Sequence, residues 1–175
     1  VVLGKSFPPA GENQALAILS HLARQPSVAK RIAVKVAQHF VADDPPHALV
    51  ARLEASFRQS GGDLAALAKT LIQSPEAWVP EASKFKTPND FLVSTMRASG
   101  ATAASTQALR GTFEQLGQTP WRAPSPKGWP DVASEWAAPD AILKRIDWAN
   151  LAADVIGETF QPIAFAESAL GPALT

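Results

Sequence analysis

The residues best suited to chemistry lie between Gln118 and Trp136, where Trp121, Trp129 and Trp136 are spaced among Pro120, Pro124, Pro126 and Pro130. An indole joins a large apolar face to a single N–H donor, which suits stacking on pyranose rings or on proline-rich strands. Arg122, Lys127 and Asp131 are interspersed and can supply directional hydrogen bonds, and Trp148 follows on the next helical stretch. Trp121, Arg122, Lys127, Trp129, Asp131 and Trp136 are therefore the candidate surface for a partner or ligand. The competing structural reading is that this segment wraps the helices and plugs their open edge, since each tryptophan can bury about 150–250 Å². Asp131, Glu135 and Asp140 are the acids nearest the tryptophans. A glycosidase would need two of them facing each other across a cleft.

A second cluster holds His39, Asp43, Asp44 and His47. His39 precedes Asp43 by one helical turn, so the two side chains can approach and are the nearest thing to a metal or acid–base pair. Hard cations want several oxygen ligands, however, and adjacent carboxylates point in different directions. Asp44 already has a use as a helix cap. Neither a metal nor another cofactor is expected. The three histidines and the serines match no nucleophile elbow, no H-E-x-x-H, no phosphate-binding glycine loop and no G-x-G-x-x-G. A triad assembled in space would leave no local motif, so this observation leaves an enzyme possible without supporting one.

Composition narrows the classes. The 175 residues include 46% hydrophobic and 18% charged side chains, a globular balance. Sixteen basic residues offset sixteen acidic ones, without the basic surplus by which a nucleic-acid binder neutralises phosphates. Lys30, Arg31 and Lys35, and separately Lys84 and Lys86, read as solvated faces, with docking of an acidic partner the remaining option. No run of about 18 apolar residues is present to form a membrane-spanning helix. The lack of cysteine excludes thiol nucleophiles, zinc–thiolate sites and disulfides.

The elements that must position these residues read as helices. A first helix, built around Ala15, Leu16, Ile18, Leu19 and Leu22, ends before Pro26. In Ser27–Pro46, Ser27 is the expected N-cap, and Val28, Ile32, Val36 and Phe40 recur along one stripe beside Ala29, Ala33 and Ala37. Asp44 as cap with Pro45 at the first helical position opens a third helix along Leu49, Leu53 and Phe57. Gly61-Gly62-Asp63 stops that helix and caps the next, in which Leu64, Leu67, Ala68, Leu71 and Ile72 fit the helical template. Ser74-Pro75-Glu76 starts a short turn carrying Trp78. Thr87-Pro88-Asn89-Asp90 is a capping box before Phe91, Leu92, Thr95 and Met96. Ala101–Leu116 carries a stripe of Leu109, Phe113 and Leu116, and Pro139-Asp140 reopens a helix with Ile142, Ile146, Ala149, Ala153 and Ile156.

These blocks resemble one bacterial family. HLARQPSVAKRIAVKVAQHFVADDPP and LVARLEASFRQSGGDLAALAKTLIQSPEAW are similar to the C-terminal half of the domain-of-unknown-function family numbered 1800. KFKTPNDFLVSTMRASG, LGQTPWRAPSPKGWP and EWAAPDAILKRIDWANLA are similar to that family's closing segments. The resemblance runs from about Leu19 to Ala152. It implies an all-helical fold and a longer parent of which this is the C-terminal portion. It also implies export to the periplasm or the extracellular space. Family members are often encoded beside a second family resembling sulfatases and alkaline phosphatases, so a protein of that kind is a possible partner. The resemblance supplies no activity and no catalytic residues.

The expectation is an all-α, irregular multi-helix bundle of about six helices forming one domain over residues 1–175. Its main helices span 11–116, an ordered Trp/Pro-rich loop 117–138, a closing helix 139–157 and an irregular tail 158–175. The expected role is a non-catalytic binding or scaffold module of a larger exported protein, with another protein as partner. The alternative is a carbohydrate-binding or polysaccharide-acting envelope or extracellular protein that uses the Trp-rich loop. Nucleic acid is not an expected partner.

Overall fold

The fold is all-α, with no strand among the described residues. The structure, a computed structural model, describes residues 1–79, 84–101, 105–157 and 160–171. The chain forms two compact units, Val1–Lys84 and Phe85–Thr175. No described helix is long and apolar enough to cross a membrane.

The first unit contains α1 (Glu12–Ala23), α2 (Pro26–Phe40), α3 (His47–Gln59) and α4 (Leu64–Ile72), followed by a 3-10 turn at Pro75–Trp78. Two helices start at other residues than expected. Helix α2 begins at Pro26, so Ser27 lies inside its first turn and Gln25 is the cap residue. Proline tolerates that position because the first helical N–H has no intrahelical acceptor. Helix α3 begins at His47 with Pro46 at the cap position, and neither Asp44 nor any other side chain caps it. Asp63 does cap α4, its Oδ1 accepting from the backbone N–H groups of Ala65 at 2.7 Å and Ala66 at 3.4 Å. Gly62, at φ 95°, closes the turn before it: its N–H donates to the Phe57 carbonyl at 2.8 Å. A Cβ there would sit 3.4 Å from the Phe57 ring in a backbone conformation side chains resist.

The core of this unit joins α2, α3 and α4. From α2 it takes Ala29, Ala33 and Ala37, at 2%, 0% and 0% exposure, rather than the larger Val28–Phe40 stripe. Val28, Ile32 and Val36 are only part-buried and Phe40 is exposed. A row of alanines lets one helix backbone approach another closely, and Leu49, Leu53 and Phe57 of α3 with Leu67 and Leu71 of α4 complete the same cluster. The outer residues of the α4 template, Leu64, Ala68 and Ile72, stay exposed. Arg52 of α3 clamps the 3-10 turn, donating to Glu76 Oε2 and Oε1 at 3.0 and 3.1 Å and to Ser74 Oγ at 3.0 Å. The Arg52 hydrogen bond is the main reason that the Glu76 carboxyl is held below the usual glutamate range.

The second unit contains α5 (Pro88–Ser99), α6 (Thr106–Gln115), α7 (Ala133–Trp136), α8 (Pro139–Ile156) and α9 (Pro162–Leu170). The expected capping box of α5 is present: Thr87 Oγ1 accepts from Asp90 N at 3.2 Å, and Thr87 N donates to Asp90 Oδ2 at 3.3 Å. Gly100, left-handed at φ 68°, ends that helix. Ser105 caps α6 through Ala108 N at 3.1 Å. Two elements go beyond the expectation. The Trp/Pro segment contains the single helical turn α7, and the tail expected to be irregular contains α9, opened by Pro162 at its start.

Candidate functional site

The Trp/Pro segment is anchored at its start by Gln118, whose Oε1 accepts the backbone N–H of Asn89 in the first turn of α5 at 2.8 Å. A tight turn follows, with Arg122 N donating to the Thr119 carbonyl at 3.2 Å. Trp121 occupies its corner at φ 62° and is fully exposed, at 101%. A left-handed backbone costs a bulky residue about 1–3 kcal/mol, and a fully exposed side chain recovers none of that cost through packing. Arg122 and Lys127 are also exposed.

The other two tryptophans serve differently. Trp136 is only 7% exposed, and its Nε1 donates to the Pro130 carbonyl at 3.0 Å. Its ring lies 6.0 Å from that of part-buried Trp129, inclined at 45°. This pair braces the loop from inside, and Asp131 is part-buried in the same stretch. The three tryptophans therefore do not form a single aromatic platform, and Trp121 is the one the loop displays. Trp148, on α8, is part-buried with its ring edge-on to Phe91 at 5.4 Å.

The second cluster is drawn into structural contacts. Asp43 forms an ion pair with Lys84, both side chains part-buried, and its carbonyl accepts from Gln38 Nε2 at 3.3 Å. The exposed His39 ring packs edge-on against Phe40 at 4.6 Å. Among the described residues, no group of three or more histidines and carboxylates is placed to hold a metal ion. Lys86, the other lysine of the second basic patch, donates to Ser94 Oγ at 2.9 Å.

A family model described as Protein of unknown function (DUF1800) matches residues 1–175. The chain belongs to this family. Neither a curated protein nor a solved structure matches it.

Two features of this DUF1800 member escape the sequence patterns. Helix α8 does not bury Ile146, Ala149 and Ala153, which are exposed; Arg145 is buried on it, at 8% exposure. The Arg145 guanidinium lies 4.7 Å from the Phe85 ring centre and 5.2 Å from that of Phe91. Among the described residues its Nη2 has no hydrogen-bond partner, and burial lowers its pKa. Two aromatic faces can hold a desolvated cation, but no periodicity rule places an arginine there. The second feature is a cavity of about 480 Å³ among α5, α6 and α8, walled by Leu92, Met96, Leu109, Trp148 and Leu151. Leu92, Met96 and Leu109 read as ordinary core in sequence, and only the spacing of the three helices opens the cavity.

Proposed function

We propose that this DUF1800 chain is a non-catalytic binding module of a larger exported protein, and that it engages a protein partner through the turn carrying Trp121. One observation carries the reading: a fully exposed indole is held in a left-handed conformation in the same loop whose Trp129 and Trp136 rings pack together. Backbone strain spent on displaying an aromatic side chain is characteristic of contact residues, and tryptophan is among the commonest anchors of protein interfaces. Arg122 and Lys127 beside it offer charged donors to an acidic rim on the partner. Exposed Leu16 and Leu19 on α1 further support a chain that packs against other protein. Export, and a sulfatase- or phosphatase-like partner, rest on the family resemblance.

The test is affinity capture by the folded protein from exported fractions, run in parallel with fluorescence titration against cell-wall fragments and polysaccharides. Trp78 supplies the control, being exposed as well but tied through Nε1 to the Ile72 carbonyl at 2.6 Å. A protein retained by wild type and Trp78→Ala but lost by Trp121→Ala supports the reading. A saturable response to a polysaccharide, abolished by Trp121→Ala, would replace it with carbohydrate binding.

A further inference from the structure

The cavity in the second unit has a lining that specifies a ligand chemistry. Besides its apolar walls it is lined by Thr95 and Ser99 of α5 and Thr112 of α6. Each of these hydroxyls donates its proton back to its own helix: Thr95 Oγ1 to the Phe91 carbonyl at 2.9 Å, Ser99 Oγ to Thr95 at 2.9 Å, and Thr112 Oγ1 to Ala108 at 3.1 Å. A hydroxyl used in this way keeps lone pairs but has no proton to give, so it can only accept from a ligand. Exposed Gln115 adds an amide that both donates and accepts. Among the described residues of the lining, none carries a charge. An ion entering such a site would exchange its hydration for apolar walls with no countercharge, whereas a neutral molecule would not. The volume, about 480 Å³, falls in the range of small-molecule sites. A part-buried indole, Trp148, forms one flat wall.

We infer that this cavity binds an uncharged, largely apolar small molecule that carries a hydrogen-bond donor, such as an alcohol, a phenol or an aromatic amine. The site is independent of the Trp121 turn. The donor pairs with the threonine and serine oxygens, and the ring or chain packs on Leu92, Met96, Leu109 and Trp148.

Three fluorescent probes sharing one skeleton test each element of the inference. N-phenyl-1-naphthylamine is neutral with one N–H, its N-methyl derivative lacks that donor, and 8-anilinonaphthalene-1-sulfonate adds a negative charge. The expected result is saturable binding of the parent amine, about fivefold weaker binding of the N-methyl compound, and binding of the sulfonate weaker by about tenfold or more. Ala152→Trp, which fills the cavity, abolishes the signal. Thr95→Val and Thr112→Val together remove the preference for the N–H compound while leaving binding of the N-methyl compound unchanged. Trp121→Ala changes none of these affinities, so this result and the fate of the partner-binding turn are separable. Equal binding of amine and sulfonate, or of amine and N-methyl amine, overturns the inference, as does undiminished binding by folded Ala152→Trp. If Ala152→Trp fails to fold by circular dichroism, the threonine pair and the wild-type probe series decide the matter alone.

Discussion

Trp121 and Trp136 lie fifteen residues apart in one loop, and their surroundings assign them opposite jobs. Trp136 is buried and hydrogen-bonded, so Trp136→Ala is expected to cost about 3–5 kcal/mol in urea unfolding. Trp121→Gly relieves a left-handed backbone and removes no packing; its unfolding free energy is expected to stay the same or to rise by up to about 1 kcal/mol. A large loss of stability in Trp121→Gly would mean that the indole is structural. Arg145 poses the complementary case of a buried cation whose Nη2 has no hydrogen-bond partner among the described residues. Arg145→Met keeps the bulk between Phe85 and Phe91 and removes the desolvated charge. Thermal unfolding of that variant is expected at an equal or higher temperature than wild type. A marked drop would show that the aromatic sandwich outweighs the cost of desolvation.

At the scale of elements, helix boundaries were legible in part, since Ser27 and Asp44 do not cap where their residue types suggest, and helix faces were less so. Thr87, Asp63 and Gly100 act where their residue types predict, because a cap is a local bond between neighbours. The faces of α2, α4 and α8 depend on which neighbour each helix meets, and hydrophobic size misleads there. The small residues of α2 face inward, and on α8 Arg145 is buried beside the Phe85 and Phe91 rings while Ile146 of the apolar stripe is exposed. Ala33→Leu is accordingly expected to destabilise by about 1–3 kcal/mol through overpacking. Phe40→Ala, at an exposed position, should stay within about 0.5 kcal/mol. Equilibrium denaturation of both variants checks the assignment. The Arg52–Glu76 clamp on the 3-10 turn predicts a pH dependence. The folded state lowers the Glu76 pKa, so its contribution is complete above the ordinary glutamate value and is lost as pH falls through the lower folded value. Wild type is expected to be more stable than Glu76→Gln at neutral pH, and the two curves are expected to converge in acid. Parallel curves across that range would remove the clamp from the stability account.

For the whole molecule, sixteen basic residues offset sixteen acidic ones and the fold is all-α. The candidate site was legible in part. The composition of the Trp/Pro loop marked the segment, but only the backbone turn at Trp121 and the bracing of Trp129 by Trp136 separate the displayed indole from the structural pair. The cavity and the Arg145 sandwich were not legible, because both arise from distant residues brought together by helix packing. Binding anchored by an indole should depend only weakly on ionic strength, in contrast to contact through the lysine patches. The most direct measurement places a photo-crosslinking tryptophan analogue, which keeps the indole, at position 121, with position 78 as control, in cells making the full-length protein. One discrete protein adduct is expected from position 121, persisting at raised salt, and none from position 78. No adduct from position 121, or the same adducts from both positions, would contradict partner binding through Trp121.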